Sequence, residues 1–229
     1  MKANFTPSFR EEKLFWDQDI LHVIGIDEVG RGCFAGPVVV AGVIFHPERL
    51  FPWFSQIHDS KLLSASLRET LAPLIQEHCV HFSIAEIPIS VINDVGIGKA
   101  TFLGMQQVVR SCHAELVSAS QKTTNEIPDQ VRDDNNKLAV LVDAFTIPDI
   151  ACSQKAIVKG DQKSISIAAA SIIAKVYRDN LMSKLAQQYK HYGFEKNKGY
   201  GTKDHREAIG IHGLSDMHRT SFDLGKYTI

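Results

Sequence analysis

The chain has 229 residues, 44% of them hydrophobic and 22% charged, with a formal net charge of −1. That is length for one substantial domain with an appendage or for two small ones, and the composition excludes wholesale disorder, collagen and coiled coil. No run of about 18 apolar residues could cross a membrane, residues 1–19 are too charged for a secretory signal, and the scattered Cys33, Cys79, Cys112 and Cys152 imply reduced thiols in a cytoplasmic protein rather than a disulfide framework or a zinc site.

His22 to Asp27 reads as a β-branched strand and Pro37 to Phe45 as a second, continuously apolar one. The Gly-rich stretch Gly30–Gly36 between them is too short for a crossover helix, so the two strands are predicted to be antiparallel neighbours. After a polar turn at Asp59-Ser60-Lys61, Ser66-x-x-Glu69 has capping-box spacing and opens a helix toward His78. Pro73 is expected to kink that helix or shift its start. Val80 to Ile87 is a third strand, and Gly98 to about Leu116 a helix with Phe102, Met105, Val108 and Val109 on one face. Ser118 to Lys137 is nearly all small, polar or charged, with Ile127 and Val131 its only large apolar residues; it is expected to be a mobile loop insertion. Leu138 to Val142 is a buried strand ending in Asp143. Ala156 to Val158 is a short strand leading to Lys159-Gly160-Asp161. Ser164 or Ser166 then caps a long helix to about Tyr189, with Ile165, Ala168, Ile172 and Val176 at helical spacing. Three strands followed by alternating strand and helix imply an α/β fold with a mixed sheet.

Charge is unevenly distributed. Residues 1–153 hold 12 basic and 19 acidic side chains, whereas residues 154–229 hold 13 and 7, so an acidic body of net −7 is joined to a basic tail of net +6. A chain whose overall balance argues against nucleic acid therefore contains a segment suited to it.

Four acids sit where acids are structurally expensive. Asp27 and Glu28 close the first strand, Asp143 closes a wholly apolar one, and Asp161 follows a short strand just ahead of a helix start. Strand carboxyl ends are where α/β sheets collect ligands. Converging carboxylates repel one another unless cations lie between them, and hard oxygen ligands select Mg²⁺ or Mn²⁺. Each acid taken singly is explained as a turn or cap residue; four at the ends of successive apolar strands are not. Successive strand residues face opposite sides, so Asp27 and Glu28 can share a site only where the strand ends or bulges, which the glycine at position 30 permits.

Asp27-Glu28-Val29-Gly30-Arg31-Gly32 closely resembles the signature of bacterial ribonuclease HII, a member of the RNase H-like superfamily. Further matches follow in that family's order: Asp59-Ser60-Lys61, Asp143, Lys159-Gly160-Asp161, Ala168 to Val176 with Arg178-Asp179, Lys198-Gly199-Tyr200, and His218-Arg219-x-Ser221-Phe222. The resemblance implies an RNase H-like mixed five-stranded sheet flanked by helices, with a catalytic domain over residues 1–190 and a small helical, substrate-binding extension over 191–229. It implies hydrolysis of the RNA strand of RNA–DNA hybrids and cutting 5′ to single ribonucleotides in duplex DNA, leaving 3′-hydroxyl and 5′-phosphate ends. Two divalent ions, Mg²⁺ or Mn²⁺, are implied on Asp27, Glu28, Asp143 and Asp161, with Asp27 the expected bridging ligand. By the same resemblance, the backbone of Gly30, Arg31 and Gly32 contacts the 2′-hydroxyl and Tyr200 packs on the adjoining sugar. Lys61, Lys175, Arg178 and Ser171 are carried over as substrate contacts, the charged ones to phosphate. The expected partners are RNA–DNA hybrid and ribonucleotide-containing duplex, bound by a cytoplasmic monomer with no membrane association.

Three departures stand out. Gly201 replaces the family's usual proline after Lys-Gly-Tyr and predicts a looser loop, Gly96 stands where asparagine is commoner, and the 118–137 insertion is outside the usual pattern. Gly-Arg-Gly weighs against the sister enzyme ribonuclease HIII, which typically has Gly-Thr-Gly there. A ribonuclease HIII-like hybrid nuclease and a non-catalytic nucleic-acid-binding module are the alternatives. The ten histidines show no metal-ligand spacing, and His205, His212 and His218 read as C-terminal packing residues.

Overall fold

The computed structural model describes residues 6–123 and 138–227. Its centre is a five-stranded sheet built from β1 (His22–Val29), β2 (Val38–Ile44), β3 (His81–Ile87), β4 (Leu138–Asp143) and β5 (Ser153–Ile157), in the order β3-β2-β1-β4-β5. β1 and β2 are antiparallel, as the short Gly-rich connection requires, and β2 pairs antiparallel with β3. β4 and β5 run parallel to β1. The sheet is therefore mixed, and β1 is its central strand. β5 begins earlier than its sequence predicts because its burial pattern is that of a half-exposed edge; the ladder to β4 holds it, not an apolar run of its own.

Helices cover both faces. One layer is α4 (Ile165–Gln188) with α2 (Ala65–His78) and the short α1 (Arg10–Trp16); the other is the helical stretch α3 (Ile89–Thr123). α4 lies so close to the sheet that a Cβ at Gly25 would fall 2.2 Å from the backbone carbon of Ser166. The run Ala168-Ala169-Ala170 is buried against the sheet for the same reason: only small side chains fit between helix and strands at that separation. Ser164 is the cap of α4, its hydroxyl accepting the Ile167 amide at 3.1 Å. The cap of α2 is Ser64, not Ser66, and α2 continues through Pro73. α3 starts before the predicted helix and breaks at Gly96, whose φ of 79° and ψ of 157° belong essentially to glycine. It extends to Thr123, past the point where the sequence suggests a loop; residues 124–137 of the predicted insertion lie outside the described residues.

α1 was not evident in the sequence. It is held by Glu12, fully buried, whose Oε1 accepts the Ser164 hydroxyl at 2.6 Å and the Ser166 amide at 2.9 Å, so an N-terminal acid closes the start of α4. Beyond α4, two further helices, α5 (Phe194–Asn197) and α6 (Lys203–His212), pack around Tyr192, Phe194 and Ile209 against Ala35 and Met182. Among the described residues, no helix is long and apolar enough to cross a membrane.

Candidate active site

β1 ends in Asp27, Glu28 and Val29, and its parallel neighbour β4 ends in Asp143. The register pairs Ile26 with Val142, so Asp27 and Asp143 lie side by side one residue further on. After β5 the chain makes a single 3-10 turn, Gly160–Gln162, which carries Asp161 ahead of the start of α4. The turn is tied to β4, since Asp143 Oδ1 accepts the Gly160 amide at 2.7 Å. Ala144 and Lys159, which flank these acids, take left-handed conformations at φ 64° and 57°, each costing about 1–3 kcal/mol for a non-glycine residue and marking a locally over-determined backbone.

Asp143 bears on each of the other three acids. Burial pushes Asp27 well above the ordinary carboxylate range, and the charges of Glu28 and then Asp143 add to it; bonds from Ser171 and the Glu28 amide oppose the rise. Glu28 is pushed up to about 7 by burial and by Asp143, against the pull of Arg31, whose Nη1 lies 3.6 Å from Oε1. Asp161 rises to about 6 through burial, Asp59 and Asp143. Asp27 and Glu28 share this neighbourhood because β1 stops at Val29 and Gly30 turns away at φ 90°. Lys61 is the cation facing them: burial works against its charge, but Asp27, Asp59, Asp161 and Asp143 together outweigh it and raise its pKa.

The chemistry of these donors fits divalent cations. All are hard oxygens; Asp27, Glu28 and Asp161 are driven toward protonation by burial and neighbouring carboxylates, and Glu28 Oε2 is buried with no hydrogen-bond partner. Among the described residues, no three His, Cys, Asp or Glu side chains stand close enough to grip one ion as they are. Glu28 is turned to Arg31 and Asp161 to Asp59, so side-chain rotation would accompany loading.

The Gly30–Gly32 loop and Tyr200 come together at the rim. Gly199 O accepts the Phe34 amide at 2.8 Å and the Ala35 amide at 3.2 Å, and the Tyr200 hydroxyl bonds the Cys33 thiol. Gly32 is exposed, with open space where a side chain would be. The Tyr200 side chain is 40% exposed. Arg31 lies over the Phe145 ring, 4.4 Å from its centroid. Gly201 is not in a loose loop: a Cβ there would fall 2.3 Å from the Phe34 ring.

Two expected substrate contacts are corrected. Arg178 is fully buried; its Nε, Nη1 and Nη2 donate to the carbonyls of Pro37, Lys198 and Ala35 at 3.0, 2.8 and 3.1 Å, leaving no fork for a phosphate. Ser171 is also buried, behind Asp27, with its hydroxyl 2.8 Å from that of Ser60. Lys175 donates to Asp179 one helical turn away at 2.8 Å and is largely covered, whereas Lys61 is exposed. Arg219 repeats the pattern of Arg178, donating to Gly36, Arg31 and Pro37 carbonyls.

Asp59 and Ser60 line the candidate site, although along the sequence they read only as a polar turn and a family-motif match with no site role. Asp59 is buried, accepts the Lys61 amide at 3.0 Å and bonds the Asp161 carboxyl; Ser60 reaches Asp27 through Ser171. Their signal was the Asp-Ser-Lys motif itself.

The family model described as Ribonuclease HII matches residues 24–224. The chain is 41% identical over 211 residues to ribonuclease HII of Halalkalibacterium halodurans, covering 92% of this chain and 71% of that protein. It is 43% identical over 216 residues to ribonuclease HII of Chlorobium chlorochromatii, covering 93% and 94% respectively. In fold it is similar to the crystal structure of ribonuclease H2 from Pyrococcus horikoshii OT3, with a TM-score of 0.60 at 22% identity over 90% of this chain and 95% of that one.

Proposed function

The chain belongs to the ribonuclease HII family, and from that premise we propose that this type 2 ribonuclease H, an endonuclease acting on RNA–DNA hybrids, cuts 5′ to single ribonucleotides in duplex DNA through Asp27, Glu28, Asp143 and Asp161. The reading is carried by the convergence of these carboxyls, Asp27 and Asp161 buried and each of Asp27, Glu28 and Asp161 repelled by Asp143, at the ends of β1 and β4 and in the turn before α4. They would hold two divalent ions, Mg²⁺ or Mn²⁺. When bound, such ions neutralise charge on the phosphate and make water a competent nucleophile at neutral pH.

The chain's own groups divide the remaining work. Asp27, on the central strand and braced by Ser171 and the Glu28 amide, would be the acid that helps to hold both ions. Lys61, held at its amide by Asp59, offers an ammonium to a non-bridging phosphate oxygen. Lys175 can reach a phosphate by exchanging its Asp179 partner. Discriminating RNA from DNA requires reading the 2′-hydroxyl. The backbone of Gly30, Arg31 and Gly32 offers that contact, Gly32 with no side chain in the way, while the exposed Tyr200 ring packs on the sugar beside it. Residues 1–190 carry the chemistry, and the helical extension over 191–229 helps to hold the duplex.

The test is cleavage of an end-labelled DNA duplex carrying one ribonucleotide. Scission 5′ to the ribonucleotide with 3′-hydroxyl and 5′-phosphate ends is expected with Mg²⁺ or Mn²⁺. Cleavage confined to long hybrids, or binding without cleavage under either ion, would overturn the reading.

A further inference from the structure

Two histidines lie at the centre of the C-terminal cluster, away from the acids. His205 and His218 are 0% and 1% exposed, and their Nε2 atoms meet at 3.1 Å. The outer nitrogens decide where the protons are. The Ser215 amide points at His218 Nδ1 from 2.9 Å. A backbone amide only donates, so that Nδ1 is bare and the proton of His218 sits on Nε2. The Tyr200 carbonyl lies 2.9 Å from His205 Nδ1. A carbonyl only accepts, so His205 carries its proton on Nδ1 and presents a bare Nε2 to His218. The two deductions are independent and compatible. They define a one-directional chain of hydrogen bonds from the Ser215 amide through two neutral rings to the Tyr200 carbonyl. Aromatic packing suits the neutral form, with Tyr192 4.8 Å from His218 and Phe194 5.4 Å from His205 between ring centroids.

The same short segment grips the glycine loop from the other side. Arg219, next to His218, donates to the Arg31 carbonyl at 2.9 Å and to Gly36 at 2.8 Å, and Ala35 pairs with His218 across an antiparallel bridge. Residues 215–219 therefore hold both the loop that offers its backbone to the 2′-hydroxyl and the residue whose ring would meet the sugar.

We propose that His205 and His218 are positioning residues that set Tyr200 in register with the Gly30–Gly32 loop, fixing the gap into which a ribose is gripped. The proposal rests on the reading of Tyr200 as a sugar contact.

Ring nitrogen–proton correlation by NMR on the full chain at neutral pH is expected to show His205 as the Nδ1–H tautomer and His218 as the Nε2–H tautomer. Reversed tautomers, or an imidazolium at either position, would overturn the relay. His205→Phe keeps a flat ring and removes both bonds. On a duplex with one ribonucleotide it is expected to raise KM about tenfold, the effect of one buried hydrogen bond, with kcat changed less than about twofold. His205→Asn, whose amide can still donate to the Tyr200 carbonyl, is expected to recover most of that loss. Tyr200→Ala measured alongside separates the two failures. Unchanged KM in Tyr200→Ala refutes the sugar contact; raised KM there with unchanged KM in His205→Phe refutes the relay. The tautomers are read on the unmodified protein, so they decide the matter if a variant does not fold.

Discussion

Gly30 rests directly on the guanidinium of Arg178: a Cβ at Gly30 would lie 2.1 Å from Nε, and the residue's φ of +90° is one that L side chains rarely adopt. The contact explains why a cation is buried here. The carbonyls of Ala35, Gly36 and Pro37 turn inward where no strand can pair them, and Arg178 and Arg219 supply the missing donors. A planar fork can satisfy several carbonyls at once, which an ammonium cannot.

Arg178→Met would leave the Ala35, Pro37 and Lys198 carbonyls without that donor. It is expected to lower stability by about 2–4 kcal/mol, the range for orphaned buried polar groups, read by thermal or urea unfolding. The dependence of duplex affinity on salt is expected to keep its slope. A slope reduced by about 0.9 would instead place Arg178 on a phosphate.

Asp27 is buried among charges of its own sign, so the metal-free fold is strained at this point. Asp27→Asn keeps the acceptor for the Glu28 amide and removes the charge. In EDTA it is expected to be more stable than the parent by about 0.5–2 kcal/mol, the usual gain when a destabilised functional group is neutralised, while cleavage with Mg²⁺ is abolished. Retained turnover would remove Asp27 from the catalytic set.

Glu28 titrates near 7 in the folded chain against an ordinary 4.5, chiefly through burial. A carboxyl whose pKa is raised by folding binds its proton more tightly when folded, so its ionisation takes stability away as pH rises through that interval. The amide of Glu28→Gln does not titrate. In EDTA the melting temperatures of parent and variant are expected to lie close near pH 5 and to separate by pH 7.5, with the variant higher. His218, pushed down to about 4 by burial and by His205, acts in the opposite direction as pH falls below 6.5, and the comparison cancels it. A variant that loses ground as pH rises would refute the assignment.

Gly201 stands under the Phe34 ring, which also stacks on Tyr227 at 5.6 Å. Gly201→Ala is expected to cost about 1–3 kcal/mol by overpacking, and much less when Phe34 is also replaced by Ala. Additive costs in a double-mutant cycle would show that the ring moves aside freely.

The central strands, the antiparallel pairing of β1 with β2, the Ser164 cap and the placement of four acids at strand ends were legible along the chain. Each depends on local pattern: alternating or unbroken apolar residues, a connection too short to cross over, a hydroxyl three residues ahead of an amide. The Asp-Glu-Val-Gly-Arg-Gly signature and the motifs that follow it identified the family for the same reason, since they are contiguous. What tertiary structure decided was the work of side chains whose partners are distant in sequence. Arg178 reads as a phosphate ligand on a helix until the carbonyls at 35, 37 and 198 are seen to surround it. Ser171 reads as a substrate contact until Ser60 and Asp27 close over it, and Glu12 carries no sequence signal of its tie to Ser164. His205 and His218 carry no spacing that announces a pair. A charge or hydroxyl is worth what its surroundings leave unsatisfied, and those surroundings exist only once segments far apart in the chain have packed together.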